Sequence, residues 1–336
     1  MSSPSEPNIS QDHGSHHRSV RVVAVVGPTA VGKSALAEHI AVRLGGEIVS
    51  ADSMQVYRGM DIGTAKTPSA ERRVPYHCID LAEPGDAYSA ALYQRAGRAA
   101  IADIASRGKL PVVVGGTGMY VRALLDPWEF PAGEQVDNPV RERLEQLADE
   151  LGADGLHLYL RDKDPRSAEL IHPNNVRRVV RALEMLEQGV SYADQHAGFA
   201  SRESLYDVSV IGLTMEREAL YQRINARVDE MLAAGLLDEV RCLLEAGLRA
   251  GITAQYAIGY KELVPVLEGA RELSDAVDEI KQSTRRYAKR QLTWLRSDER
   301  VRWIDVTDLT FEQAAEAALA AIECGHDKRC FAEDAG

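Results

Sequence analysis

Short apolar runs alternate with amphipathic stretches along the first third of the chain. Val20–Val26 is a valine-rich run of the kind that forms a buried parallel strand. Gly32–Leu44 repeats apolar residues at helical spacing, and the alanine-rich stretch Ser89–Ser106 also predicts a helix. Two further strands are predicted at Glu47–Ala51 and Leu110–Val114. Because strands and helices alternate, we predict an α/β fold with a doubly wound parallel sheet.

The strand pattern stops near Asp126 and resumes only after Ala200. Between them, helical spacing predicts helices at Pro139–Leu151 and Asn174–Glu187. We therefore expect a mostly helical insertion over residues 126–200, carried by a core of residues 20–125 and 201–323. Strands are predicted again at 206–214 and 301–305. The polar residues 1–19 and 324–336 predict a disordered N-terminal tail and a loose C-terminal tail.

Composition narrows the class of protein further. The 336 residues are 45% hydrophobic, enough for a sizeable core, and the net charge of −12 argues against binding to nucleic acid or membrane by bulk charge alone. No stretch reaches the roughly 18 apolar residues that span a bilayer. The N-terminus has no apolar segment typical of a signal peptide, so we expect a cytoplasmic protein that does not associate with a membrane. The four cysteines are scattered and predict neither a zinc site nor a disulfide framework.

A phosphate-binding motif follows the first strand. The pattern GxxxxGK[ST] is matched by Gly27, Pro28, Thr29, Ala30, Val31, Gly32, Lys33 and Ser34, with a strand before it and a helix after it. Glycines let backbone N–H groups turn toward phosphate oxygens, and the helix N-terminus adds partial positive charge. Lys33 would meet the terminal phosphates, and Ser34 could bind Mg²⁺. The motif predicts binding of a polyphosphate or a diphosphate and does not say which. Taken alone, such a P-loop would predict nucleotide binding, including ATP binding, in a small-molecule kinase.

Six sequence blocks together are more specific than this loop. Asp52 ends the second strand, at the edge where ligands bind in open α/β sheets. The blocks GPTAVGKS, DSMQVYRGMDIGTAK, GGTGMY, HPNNVRRVVRALE, AIGYKEL and RRYAKRQLTWLR run in this order between Val22 and Trp303. In these blocks the chain resembles the bacterial tRNA dimethylallyltransferases, also called tRNA isopentenyltransferases.

The resemblance implies a prenyl transfer. A dimethylallyl group would pass from dimethylallyl diphosphate to N6 of adenosine 37, beside the anticodon, in tRNAs that read codons beginning with U. Diphosphate would leave in the phosphate loop with Mg²⁺, and no ATP would be needed. The family's further diphosphate contact matches Arg227, although Arg223 lies one helical turn away on the same face. We expect the enzyme to work as a monomer on the tRNA anticodon stem-loop.

The same resemblance assigns the catalytic residues. Asp52 matches the general base that would accept the amine proton, with Lys33 and Thr117 as further catalytic residues. Ser53, Met54 and Gln55 match the segment that holds the target nucleotide, and the amide of Gln55 suits an adenine edge. Two other roles stay open for Asp52, a second-sphere Mg²⁺ ligand and a helix N-cap. Thr117 matches a position that contacts tRNA next to the reactive base, and it could also be a helix N-cap.

Two basic segments could hold RNA despite the acidic composition. The first matches the family's tRNA-contacting segment and comprises Arg177, Arg178, Val179, Val180 and Arg181. The second, Lys281–Arg302, carries eight Lys or Arg and two Asp or Glu, with Tyr287 and Trp294 interleaved. Such a run predicts either a basic helix face for RNA or an ordinary solvated face.

Two other functions compete with tRNA alkylation besides the kinase. An adenylate isopentenyltransferase would alkylate free AMP, ADP or ATP with the same core, without a large helical insertion or the 177–181 segment. A non-enzymatic RNA-binding module would have no need for Lys33 and Asp52 in one pocket.

Overall fold

Six parallel strands form one sheet in the computed structural model, which describes residues 19–130, 138–199 and 203–324. In chain order the strands are β1 (Arg21–Val26), β2 (Gly46–Ser50), β3 (Tyr76–His77), β4 (Leu110–Gly115), β5 (Asp207–Thr214) and β6 (Val301–Asp305). Their order across the sheet is β3-β2-β4-β1-β5-β6. The predicted doubly wound parallel sheet is therefore confirmed. The two-residue β3 is an addition, because so short a strand leaves no periodicity to detect.

Twelve α-helices lie in the described ranges. They are α1 (Lys33–Leu44), α2 (Ala90–Ser106), α3 (Gly118–Leu125), α4 (Pro139–Lys163), α5 (Pro165–Leu170), α6 (Val176–Glu187), α7 (Tyr192–Gly198), α8 (Arg217–Ala233), α9 (Leu236–Glu245), α10 (Val264–Leu267), α11 (Leu273–Leu295) and α12 (Phe311–Cys324). The helix predicted to end at Leu151 continues in α4 to Lys163, interrupted at Gly152 by a positive φ of 68°. No helix of the described chain is both long and apolar enough to cross a membrane.

The valine run of β1 fills both faces of the sheet. Val22, Ala24 and Val26 belong to one apolar core, and Val23 and Val25 belong to the other. This follows from the strand geometry, in which successive side chains point to opposite faces. Helices therefore cover both faces, which is why β1 has no polar side chain between Val22 and Val26.

The strand order changes direction at the centre of the sheet, between β4 and β1. From β1 the chain continues to β2, which lies on the far side of β4. From β4 it continues through the inserted helices to β5, which lies on the far side of β1. The connections after β1 and β4 thus leave in opposite directions. In open α/β sheets this arrangement leaves a crevice at the carboxyl ends of the strands, where ligands bind.

Five helices, α3 to α7, lie between β4 and β5 in the described residues, and α4 to α7 share an apolar cluster of their own. Its buried members include Leu144, Leu156, Leu160 and Leu183. Asp126, at the predicted start of the insertion, is buried and forms ion pairs with Arg122 and Arg300. Cys324, placed in the predicted tail, ends α12. Residues 1–18 and 325–336 lie outside the described ranges.

Candidate active site at the carboxyl edge of the sheet

The phosphate loop connects β1 to α1 and turns through three positive φ angles. Gly27 has φ 149°, Ala30 has φ 65° and Gly32 has φ 103°. A Cβ on Gly27 would lie 2.6 Å from the carbonyl oxygen of Leu213 in β5, so only glycine fits there. The Lys33 amine donates a hydrogen bond to the carbonyl oxygen of Pro28 at 2.6 Å. The lysine thus lies over the loop whose N–H groups would surround a phosphate.

Two cations and one carboxylate share the space above this loop. Burial is the main cause that lowers the pKa of Lys33 to about 7; the charge of Arg227 also lowers it, and Asp52 raises it. Burial also lowers the pKa of Arg227, which the charge of Asp52 partly offsets. Both pKa values therefore reflect the proximity of Asp52, and that of Lys33 also reflects the proximity of Arg227. A bound polyanion would restore the charge on Lys33, because its negative charge favours the protonated amine.

Asp52 and Thr117 lie on neighbouring loops that contact each other. The Thr117 hydroxyl oxygen accepts a hydrogen bond from the backbone N–H of Ser53 at 3.3 Å. Asp52 Oδ1 accepts the backbone N–H of Met54 at 2.9 Å, which closes a turn and does not cap a helix. Within the described residues, Asp52 Oδ2 has no hydrogen-bond partner. Thr117 stands at the N-cap position of α3, yet its side chain makes no capping bond.

Helix α11 holds the loops after β1 and β4 together. Gln291 Oε1 accepts the backbone N–H of Thr29 at 2.9 Å. A Cβ on Gly116 would lie 2.2 Å from Gln291 Nε2, and one on Gly118 would lie 1.9 Å from the Trp294 ring. Sequence reasoning missed the role of Gln291. Gly116 and Gly118 of GGTG were its only signal, since they mark a close approach by another element.

A second set of contacts fixes the loop after Met60. Glu239 of α9 accepts the backbone N–H groups of Asp61, Ile62 and Gly63 at 3.0, 2.7 and 3.1 Å. The Tyr260 hydroxyl also donates to Glu239, at 2.6 Å, and the carboxylate together with burial raises the pKa of Tyr260. The loop is therefore anchored to the C-terminal half of the chain. Nothing in the sequence pattern indicated Glu239.

Two cavities meet at the phosphate loop. The larger, about 930 Å³, lies between the loop of residues 61–72 and α8, and Arg72 and Arg223 line it. The smaller, about 370 Å³, is lined by Asp52 and by apolar side chains that include Ile224, Val228 and Ile280. Both linings include Ala30, Arg227 and Met231. A phosphate group at the loop would thus have an apolar space and a carboxylate beside it.

Comparison with known proteins identifies the family of this chain. A family model described as IPP transferase matches residues 55–298, and one described as isopentenyl transferase matches residues 20–74. The tRNA dimethylallyltransferase of Geobacillus kaustophilus is 50% identical over 86% of this chain and 91% of its own length, and the same enzyme of Bacillus subtilis is 50% identical over 85% and 91%. This chain belongs to the IPP transferase family. The resemblance seen in the six sequence blocks is thereby confirmed, and so is the prediction that the protein is an enzyme of this class.

Solved structures place the fold in the same family. The full-length tRNA isopentenylpyrophosphate transferase of Bacillus halodurans is 44% identical, with a TM-score of 0.66 over 91% of this chain and 97% of that chain. A eukaryotic dimethylallyltransferase, described as acting on tRNA, is 31% identical, with a TM-score of 0.77 over 90% of this chain and 78% of that chain.

Several predicted site residues of this IPP transferase lie together. The smaller cavity is lined by Thr29, Ala30, Asp52, Ser53, Met54 and Arg227. Of the two candidate arginines, Arg227 lines both cavities and Arg223 lines only the larger. Gln55 is engaged inside the protein, because Ser50 Oγ donates to its Oε1 at 2.8 Å and its Nε2 donates to the Thr64 carbonyl oxygen at 3.2 Å. Its amide therefore braces this loop and does not face an open pocket edge.

The 177–181 segment of the IPP transferase divides by helix face. Arg177 and Arg178 are exposed on α6. The expected contact of Val179 and Val180 with tRNA stays a prediction; their side chains are 0% and 3% exposed and pack inside the insertion. The reason is the helical turn of about 100° per residue, which points 179 and 180 inward when 177 and 178 point outward. Arg181 is half-buried and forms an ion pair with the buried Glu184 at 2.8 Å.

The second basic segment divides in the same way. Arg286, Lys289, Arg290 and Arg296 are exposed. The others are engaged within the protein: Lys281 pairs with Asp229, Arg285 donates to Asn225, Arg300 pairs with Asp126 and Asp298, and Arg302 donates to the carbonyl oxygen of Ala321. About half of the run is thus available to an anionic partner.

Proposed function

We propose that this IPP transferase moves a dimethylallyl group from dimethylallyl diphosphate to N6 of adenosine 37, in tRNAs that read codons beginning with U. One observation carries the proposal: a single cavity is lined by Thr29 and Ala30 of the phosphate loop, by Arg227 and by Asp52. A diphosphate leaving group and a proton acceptor would therefore border the same space. The names of the bacterial relatives and of the eukaryotic structure support tRNA as the acceptor.

The transfer forms one bond and breaks one. The C–O bond between the allylic carbon and diphosphate breaks, and the adenine N6 attacks that carbon. The N6 proton passes to Asp52, because an exocyclic amine becomes acidic only as its new C–N bond forms. Negative charge grows on the diphosphate oxygens as they leave. Lys33, Arg227 and the loop N–H groups stabilise that charge from fixed positions.

Apolar walls suit the prenyl chain. Ile224, Val228, Met231 and Ile280 line the cavity beside Arg227. A branched five-carbon group would bury its methyl groups there, at about 0.8 kcal/mol for each buried CH₂. The same walls would keep water from the electron-poor allylic carbon, so that adenine and not water is the nucleophile.

Mg²⁺ fits this site through the diphosphate. The described residues contain no group of three or more His, Cys, Asp or Glu that could hold a metal ion. Mg²⁺ commonly uses one or two protein ligands together with substrate phosphates and water. The Ser34 hydroxyl, on the first turn of α1, would be that ligand, and the ion would neutralise charge on the leaving diphosphate.

Exposed arginines and lysines would hold the RNA. Arg177 and Arg178 lie on the helical insertion, and Arg286, Lys289 and Arg290 lie on α11, where Arg290 also lines the cavity with Asp52. These positions favour tRNA over free AMP, because a mononucleotide would need neither helix face. We expect the enzyme to act as a cytoplasmic monomer.

Nucleoside mass spectrometry tests this proposal. Enzyme, Mg²⁺ and dimethylallyl diphosphate are incubated with anticodon stem-loops whose nucleotide 36 is A or another base, and with AMP and ATP in parallel. We expect N6-(dimethylallyl)adenosine only in stem-loops with adenosine 37, and most of it where nucleotide 36 is A. A stem-loop with guanosine 37 and the Lys33→Ala enzyme are the controls. Equal alkylation of AMP would indicate an adenylate isopentenyltransferase, and ATP turnover with a small metabolite would indicate a kinase.

A further inference from the structure

One aromatic side chain stands exposed beside the cavity that contains Asp52. Tyr256 is 64% exposed, the highest value among the exposed large hydrophobic residues of the described ranges. It also lines the smaller cavity together with Asp52. A residue that is mostly exposed and yet borders the cavity must lie at its solvent end.

The backbone around Tyr256 is held firmly. Ala254–Tyr256 is a short 3₁₀ turn in which the Tyr256 N–H donates to the Thr253 carbonyl oxygen at 3.1 Å. Ala254 and Tyr260, on either side, are fully buried. The ring is therefore presented to solvent by an anchored turn, and its exposure does not result from a frayed loop.

Cationic side chains of α11 border the same cavity or lie near it on that helix. Arg290 and Tyr287 of α11 line it, and the Arg290 guanidinium lies 5.6 Å from the centre of the Tyr287 ring. Arg286 and Lys289 are exposed on the same helix. An aromatic face and cations around one cavity suit single-stranded nucleic acid, since bases stack on the ring and phosphates pair with the cations.

We propose that Tyr256 stacks on the unpaired base next to the reacting adenosine. The proposal rests on the proposed function and adds a recognition residue to it. The reacting adenine must enter the cavity to reach Asp52, so it leaves the stack of the loop and its neighbour loses a partner. Tyr256 replaces that partner at the cavity entrance. It thereby stabilises the extruded form of the RNA without touching the diphosphate.

Three substitutions of Tyr256 distinguish stacking on a base from apolar contact alone. Tyr256→Phe keeps the aromatic face, Tyr256→Leu keeps apolar bulk without it, and Tyr256→Ala removes both. We expect the Leu and Ala variants to raise the KM for the stem-loop by about 5- to 150-fold, the usual worth of one stacked base. Phe should stay within about twofold of wild type. The KM for dimethylallyl diphosphate should not change in any of the three, and Phe311→Ala, on α12, controls for loss of an exposed ring.

Fluorescence of 2-aminopurine reports the stacking directly. The label is placed on each side of the adenosine in turn, and binding is followed in the presence of diphosphate without alkylation. Wild type and Tyr256→Phe should quench the label on one side, and Tyr256→Leu should not. If Leu quenches like Tyr and keeps its KM, Tyr256 is not a stacking residue. If wild type neither binds nor alkylates the stem-loop, the proposed function itself is wrong.

Discussion

Gln291 accepts the backbone N–H of Thr29 at 2.9 Å, across 262 residues of sequence. The glutamine is 6% exposed, and its other amide atom faces the backbone of Gly116. One side chain thereby sets the distance between the phosphate loop and the loop that carries Thr117. In the proposed reaction, the spacing between diphosphate and adenine would depend on this contact, because the two loops have no covalent connection near the site.

Replacing Gln291 by Leu should loosen the phosphate loop. The variant leaves the Thr29 N–H without its partner, which costs about 1–3 kcal/mol of unfolding free energy. The KM for dimethylallyl diphosphate should rise as well, because the backbone of the phosphate loop at Thr29 is no longer held in one position. Urea unfolding and steady-state kinetics measure both effects, with Gln282→Leu on the exposed part of α11 as the control. Unchanged stability together with an unchanged KM would contradict this role.

Asp52→Asn should separate chemistry from binding. The amide keeps the shape of the side chain but cannot accept the amine proton, so kcat should fall by about 10²- to 10⁴-fold while both substrates still bind. Single-turnover alkylation with separately measured tRNA affinity is the test, and Asp278→Asn, at an exposed carboxylate of α11, is the matched control. A chemical step within a few-fold of wild type would exclude Asp52 as the base. Rescue by excess Mg²⁺ would identify it as a metal-sphere residue.

Binding of diphosphate should take up a proton on Lys33. The pKa of Lys33 is lowered to about 7, so its amine is mostly neutral in the free enzyme above that pH. The charge of the ligand raises this pKa, so the bound lysine is protonated and affinity should fall as the pH rises through 7. Calorimetry in two buffers of different ionisation enthalpy measures the uptake. Lys33→Arg, which stays charged, should show less uptake; an equal uptake would assign the proton to the ligand alone.

The arginines of α6 should differ in their salt dependence. The double replacement of Arg177 and Arg178 by Ala should lower the slope of log affinity against log salt by about 1.4 to 1.8, since each lost phosphate contact removes about 0.7 to 0.9. Arg181→Ala should leave the slope nearly unchanged, because Arg181 is paired with Glu184. Filter binding between low and moderate salt is sufficient. Equal slopes in wild type and all variants would show that the exposed face of α6 is an ordinary solvated surface that contacts no phosphate of the RNA.

Local chemistry determined much of this protein. The valine run, the glycines and the lysine of the phosphate loop specify strand, turn and helix within a few residues, because each acts on its own backbone or on the next turn. The position of Asp52 at the end of β2 also followed from the sequence, since carboxyl ends of parallel strands meet at one edge. The division of α6 into exposed and buried residues could have been predicted from the same periodicity. The resemblance had matched these five consecutive residues as one segment and made no distinction between the two faces of the helix.

Only the tertiary structure decided which distant side chains complete the site. Gln291, Glu239 and Tyr256 lie far along the chain from the loops that they contact or border. Gln291 and Glu239 accept backbone N–H groups, and Tyr256 borders a cavity. Many polar or aromatic residues could do the same, so no residue type or spacing in the sequence identifies these three positions. The use of Gln55 inside the protein was equally hidden, because an amide suits a base edge and a backbone carbonyl alike. Packing chooses between such equivalent partners, and it does so only when the whole chain has folded.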